Sequence, residues 1–130
     1  MRTMLMAVVL LLLAAACKKN NVDCSQYNIE PITDVRYMGT SNTGIRGQDA
    51  AFFDVSCTFQ NTCSTIYQFI PIIHGRSIIV KAGALYRPCA NCTTLNTPQT
   101  RTFSFVPPAG GAWYITWEGL PNRVDTIYIP

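Results

Sequence analysis

The stretch that decides the fold is Gln48-Asp49-Ala50-Ala51-Phe52-Phe53-Asp54-Val55-Ser56-Cys57-Thr58-Phe59. Ala51, Phe53, Val55, Cys57 and Phe59 fall on one side of an extended chain, and Asp54, Ser56 and Thr58 fall on the other. Successive side chains of an extended backbone point opposite ways. Alternation of this kind therefore marks a strand with one face in a core and one face in water.

The same signal recurs outward in both directions. Thr33 to Met38 reads as a short first strand with Val35 and Tyr37 on one face, and Gly39 to Gly47 reads as a loop rich in Gly, Ser, Thr and Asn. After the Asn61-Thr62-Cys63 turn, Thr65 to Ile73 is a third strand, in which Pro71 marks an edge or a bend. His74-Gly75 turns the chain into Ser77 to Arg87, a fourth strand interrupted by Gly83. Thr100 to Val106 is a fifth, with Phe103 and Phe105 facing in. Pro107-Pro108-Ala109-Gly110-Gly111 is a strong turn signal. Ala112 to Glu118 is a sixth, with Trp113, Ile115 and Trp117 on one face, and Arg123 to Ile129 is a seventh. No stretch after residue 17 carries a helical pattern of useful length. Seven short strands separated by turn signals predict an all-β fold, a seven-stranded immunoglobulin/fibronectin-III-like sandwich over residues 33–130.

Composition agrees once the chain is divided. It has 130 residues, 48% hydrophobic and 13% charged, with six cysteines and a formal net charge of +3. Fifteen of the first seventeen residues are apolar, which leaves an ordinary apolar fraction for the rest. That length fits one domain and excludes multidomain enzymes, long repeat arrays and coiled coils. The plentiful β-branched and aromatic residues exclude a disordered chain.

The opening run is an address. Met1-Arg2 is a short basic start, and Met4 to Ala16 is apolar or small throughout. A membrane-spanning helix needs roughly 20 apolar residues, so the run fits a signal-peptide core instead. Leu13-Ala14-Ala15-Ala16-Cys17 resembles the lipobox of bacterial lipoproteins, although Leu stands one position earlier than the usual pattern has it. The resemblance implies cleavage after residue 16 and lipid on the Cys17 thiol, so that residues 1–16 are a lipoprotein signal peptide. Lys18 follows the cysteine where inner-membrane lipoproteins often carry Asp, which implies the outer membrane, on its periplasmic or surface face. One acyl chain anchors only marginally and two or more anchor firmly. The membrane, through this lipid, is thus the first expected partner. Residues 17–32 read as the lipidated N-terminus and a flexible tether.

Three stretches carry a second resemblance: Asn61-Thr62-Cys63; Pro88-Cys89-Ala90-Asn91-Cys92-Thr93; and the strands Arg101 to Pro107 and Gly111 to Thr116. They resemble the small single-domain Ig-like lipoproteins of Bacteroidota, over about residues 33–130. The group is largely uncharacterised, so the resemblance implies a fold and a cell-envelope compartment and carries no activity.

With Cys17 lipidated, Cys24, Cys57, Cys63, Cys89 and Cys92 remain. An oxidising compartment makes disulfides the default. Five cysteines allow fifteen two-bridge arrangements, and the sequence alone does not choose among them. The family resemblance implies Cys63 with Cys92; Cys57 with Cys89 is the second pairing, and Cys24 is then left over. Two chemical alternatives stand beside the bridges. Cys89-Ala90-Asn91-Cys92 has the spacing of a thiol-disulfide oxidoreductase, but Thr93 to Pro98 lacks the helix that lowers the thiol pKa in such sites. Four cysteines in the pattern Cys57-x5-Cys63 with Cys89-x2-Cys92 have the count for structural zinc.

The remaining candidates are weaker. His74 is the sole histidine and sits in a turn. Asp54 and Asp125 are strand positions, and no catalytic constellation or calcium loop appears, so no enzyme and no cofactor is expected. Basic residues cluster only at Lys18-Lys19, which gives no electrostatic footprint for nucleic acid. Tyr67, Tyr86, Tyr114 and Tyr128 could present a sugar-stacking face, whereas Trp113 and Trp117 read as core. Asp125-Thr126-Ile127 resembles a short O-glycosylation motif of exported Bacteroidota proteins. The expectation is a membrane-anchored, non-enzymatic binding or accessory module of the cell envelope, with an envelope protein or a glycan as its partner. Thiol-disulfide exchange at Cys89 and Cys92 and glycan binding through exposed aromatics are the alternatives.

Overall fold

A computed structural model describes residues 23–41, 45 and 47–130. Eight strands run in order, and no helix occurs among the described residues. They are β1 (Gln26–Glu30), β2 (Ile32–Ser41), β3 (Ala50–Phe59), β4 (Ser64–His74), β5 (Ser77–Tyr86), β6 (Thr97–Phe105), β7 (Gly111–Trp117) and β8 (Leu120–Ile129). The smaller sheet has the order β2-β3-β6. The larger sheet is built around β5. Strand β4 lies along the whole of one side of β5. The other side is shared: β1 pairs antiparallel with Ala82 to Tyr86, and β7 pairs parallel with Ser77 to Val80. Strand β8 completes the sheet beside β7.

The two sheets bury a common core. Phe53, Val55 and Cys57 of β3 are fully buried, as are Ile78 and Val80 of β5 and Ile115 of β7. Trp117 sets its ring edge to face with Phe53, at 5.1 Å between centroids, and with Phe103, at 6.0 Å. Phe105 and Trp113 form a second such pair at 5.5 Å. Each large side chain taken out of water contributes roughly 1.5–3 kcal/mol before entropy is counted, so the inward residues of the alternating strands hold the sandwich.

Two glycines shape the turns that matter here. Gly75, at φ 61°, is the first residue of the two-residue turn between His74 and Ser77, a geometry that suits glycine in hairpins. Gly119, at φ 101°, joins β7 to β8; a Cβ there would lie 2.7 Å from the Ile32 carbonyl oxygen. The adjoining Glu118 carbonyl accepts from Ile32 N–H at 2.8 Å. Pro31, between β1 and β2, carries the chain from the larger sheet to the smaller at this point.

The expectation of an all-β sandwich holds at the level of two packed sheets, with three corrections. There are eight strands, not seven. The additional strand, β1, lies inside residues 17–32, which read from sequence as a flexible tether. Five residues, with Asn28 between Tyr27 and Ile29 and Pro31 just after, carry too little alternation to be recognised; pairing with β5 makes them a strand. Finally, β5 and β7 run parallel, unlike the antiparallel sheets of the immunoglobulin sandwich.

Candidate functional site

Four cysteines meet in two bridges at the loops beside β1 and β4. Cys63 is bonded to Cys92, with Cα atoms 5.4 Å apart, and Cys24 is bonded to Cys89, with Cα atoms 6.0 Å apart. The first bridge is the pairing implied by the family resemblance. The second corrects two expectations at once: Cys89 does not pair with Cys57, and Cys24 is not left over. Among the described residues the free cysteine is Cys57, wholly buried in the core. Its inward position on β3 places it among Phe and Val side chains, away from the loop that holds Cys89. Burial, with a smaller contribution from the charge of Glu30, pushes its thiol up to about 11. It is therefore a neutral, shielded group at physiological pH. Cys89 and Cys92 sit in separate bridges, so they do not form the two-cysteine pair that exchange chemistry requires. The four cysteines of the zinc alternative are not brought together either. Cys17 lies outside the described residues.

The two outer faces of the sandwich differ sharply. The smaller sheet turns Asp54, Ser56 and Thr58 of β3 and Thr100, Thr102 and Ser104 of β6 to solvent. Four of these groups, Asp54, Ser56, Thr100 and Thr102, bond to one another in pairs. Arg36 donates to Asp54 at 2.9 Å, Thr102 donates to the other Asp54 oxygen at 3.0 Å, and the Ser56 and Thr100 hydroxyls lie 2.7 Å apart. The Arg36 guanidinium, and then the Thr102 hydroxyl, hold the Asp54 carboxyl below its ordinary pKa.

The outer face of the larger sheet carries many large apolar side chains among neutral polar ones such as Thr65, Gln68, Thr116 and Thr126. Its registers bring together Tyr27 and Ile29 of β1, Tyr67, Ile70 and Ile72 of β4, Ile79 of β5, Tyr114 of β7, and Val124 and Tyr128 of β8. Tyr27, Ile29, Tyr67, Ile79, Tyr114, Val124 and Tyr128 are exposed, Tyr128 at 73%. Lys81 is the only lysine or arginine at an outward strand position on this face, and no carboxylate occupies one. So many exposed large apolar side chains on one face are uncommon on a monomer.

One end of that face has more structure. Ile66 and Gln68 flank a bulge in β4 opposite Ala84 and Gly83, and the extra residue is Tyr67. Bulges re-aim side chains, and here the ring is exposed on the outer face. Arg101 of β6 donates to the Ile66 and Tyr67 carbonyls, each at 2.8 Å, and Gln99 bonds to Ile66 N–H and the Ser64 carbonyl. These two side chains thus tie the free edge of β4 to the smaller sheet and satisfy the backbone groups that the bulge releases. Tyr67 then packs edge to face against Tyr27, with centroids 5.3 Å apart.

Other residues singled out from sequence are spread apart. Trp113 and Trp117 are core residues, and their indole N–H groups donate to the Ala109 carbonyl at 2.9 Å and to Asp125 at 2.6 Å. Asp125 also receives Arg123 at 2.9 Å, so it serves the β8 edge. Tyr86 faces the open end of the sandwich, in a cleft with Phe59 and Asn61. His74 ends β4 at an exposed turn, and Thr126 is exposed opposite Tyr114. Sequence reading missed Tyr27, which lay in the presumed tether, and Arg101, an ordinary charged strand residue until its partners are known. No family model, curated protein or solved structure matches the chain.

Proposed function

We propose that the chain is a lipid-anchored cell-envelope protein acting as a non-enzymatic binding or accessory module, with the outer face of the larger sheet as its contact surface. The observation that carries this reading is the asymmetry of the two faces: one pairs Asp54, Ser56, Thr100, Thr102 and Arg36 with one another and exposes Tyr37 and Met38 on β2, and the other leaves seven large apolar side chains exposed with a single lysine among them. The lipobox-like segment ending at Cys17 supports the anchor. With Cys24 bonded to Cys89, only residues 18–23 separate the lipid from the fold. At ~3.5 Å per extended residue, this holds the domain within roughly 25 Å of the bilayer.

Two measurements test the reading. Mass spectrometry of the protein from its own membranes is expected to find Cys17 N-terminal and diacylglyceryl-modified; an unmodified Cys17 overturns the anchor. A photo-cross-linking residue at Ile79 or Val124 is expected to give discrete cross-linked species in intact cells, and one at Ser104 is not. Equal cross-linking from both faces removes the assignment of the contact surface.

A further inference from the structure

Gly83 occupies an outward position in the middle of β5, with Ile29 opposite it on β1 and Gln68 on β4. Its φ is not in the left-handed region, so conformation does not demand glycine there. A Cβ at this position would lie 3.1 Å from Gln68 Cγ, so a larger residue would press on the Gln68 side chain. Glycine inside a strand weakens it and often marks a close approach by another group. The bare backbone floors a cleft of about 190 Å³ bordered by Tyr27, Ile29, Tyr67, Gln68 and Ile70. The two tyrosine rings meet at 65°, so they offer surfaces in two directions. Three independent features build this cleft: the glycine on β5, the bulge that turns Tyr67 outward, and the bridge from Cys24 to Cys89 that secures β1 and Tyr27.

We infer that this cleft binds one ring of a neutral saccharide, held against the tyrosine rings with its hydroxyls on Gln68 and the phenol oxygens. The inference rests on the binding-module reading and adds the class of ligand. No ionisable group other than the two phenols borders the cleft, so a charged ligand would lose hydration there without gaining a partner. The volume is below the ~300–1,000 Å³ of pockets that enclose drug-sized molecules, which suits a single ring of a longer chain. A pyranose has C–H faces and a rim of hydroxyls. Tyrosine presents an apolar ring with a polar handle, and the Gln68 amide can both donate and accept. An aliphatic peptide side chain would fill the same space but leave those polar groups without partners.

The test uses the full chain with both disulfides formed and follows backbone amides by NMR. The probes are cellohexaose and chitohexaose, with a polygalacturonate hexamer as the charged comparison and an acetylated, amidated Leu-Phe-Leu tripeptide as the apolar one. At least one neutral hexasaccharide is expected to shift the amides of Tyr27, Tyr67 and Gly83 saturably. Tyr67→Ala and Gly83→Ala should each weaken that binding about five- to tenfold, the scale of one aromatic contact. Thr58→Ala, on the opposite face, should leave it unchanged. Thermal melts accompany each variant, and Tyr67→Ala decides the matter if Gly83→Ala does not fold.

The inference is overturned by any of four results. These are no saturable shift with either neutral hexasaccharide up to about 10 mM, equal affinity in Tyr67→Ala, equal affinity for the charged hexamer, or shifts produced by the tripeptide alone. Failure here, with Cys17 lipidated and Ile79 still cross-linking, removes the ligand class and leaves the module reading intact. Saccharide binding by a protein without lipid does the reverse.

Discussion

The outer faces of the two sheets are made by the same alternating grammar and end in opposite chemistry. On β3 and β6 the outward residues are mostly Asp, Ser and Thr, with Phe52 and Pro98 as the exceptions, and four of them find partners: Asp54 takes Arg36 and Thr102, and Ser56 takes Thr100. On β1, β4, β5, β7 and β8 the outward residues include Tyr27, Ile29, Tyr67, Ile79, Tyr114, Val124 and Tyr128, all exposed, set among neutral polar groups such as Thr65, Gln68, Thr116 and Thr126. Stability accounts for the first arrangement and not for the second. A face that only needed to be wet would carry charges, as natural edge and surface strands do. That difference is the ground for proposing the larger sheet's outer face as the contact surface.

The largest expected effect removes what both faces stand on. Phe53→Ala, in contact with Trp117 across the core, should cost ~3–5 kcal/mol. Denaturant unfolding followed by Trp fluorescence and by amide signals from each sheet should move together. Separate transitions would mean that the sheets are not one cooperative unit.

Next comes the bridge that attaches β1. A Cys24→Ser/Cys89→Ser double variant should lose about 2–5 kcal/mol. Hydrogen exchange should then rise in Gln26 to Glu30 and stay low in β3 and β6. Exchange that rises equally everywhere would show that β1 is not a separable addition to the apolar face.

A smaller change sharpens the link between the faces. Arg101→Ala leaves the Ile66 and Tyr67 carbonyls without their donor and should cost ~1–3 kcal/mol. The Tyr67 ring resonances should shift more than those of Tyr128. An unmoved Tyr67 would mean that the bulge holds itself.

The smallest effect lies in the polar face and appears only in acid. Asp54 has a folded pKa below the ordinary aspartate value of 3.8. The stability that Arg36 and Thr102 confer through it is fully present above that value. It is lost as pH falls through the lower, folded pKa. In Arg36→Ala the Asp54 pKa, followed by NMR, should rise toward its ordinary value and the acid limb of stability should flatten. Ile79→Lys, on the apolar face, should leave both unchanged and alter stability by no more than about 0.5 kcal/mol.

Much of the core was legible residue by residue. Ala51, Phe53, Val55, Cys57 and Phe59 alternate in the sequence and are buried in the fold, as are Trp113, Ile115 and Trp117. Pro71 was readable as an edge signal, and β4 has β-sheet neighbours on one side only. Strand β1 was not legible, because Tyr27 and Ile29 alternate over too few residues to stand out among Asn28 and the charged and polar groups around them. The cleft was legible only as two oddities, a glycine inside a strand at Gly83 and a group of scattered tyrosines. The bulge that aims Tyr67 leaves no mark in the sequence, because it is a mismatch between two strands and belongs to neither alone. The cysteines divide in the same way. Their number and the compartment imply bridges, but the choice between Cys57 and Cys24 as the partner of Cys89 depends on which loop meets which strand.

The sequence by itself determined which side chains go inside each strand, because that is set by a period of two along one backbone and needs no partner. Only the tertiary structure decided which strands lie side by side. That choice placed β1 and β7 on the same edge of β5, and so gathered Tyr27, Tyr67, Tyr114 and Tyr128 from four strands onto one face. Pairing between distant segments is governed by loop closure and by the packing of the whole core, and no local pattern records it.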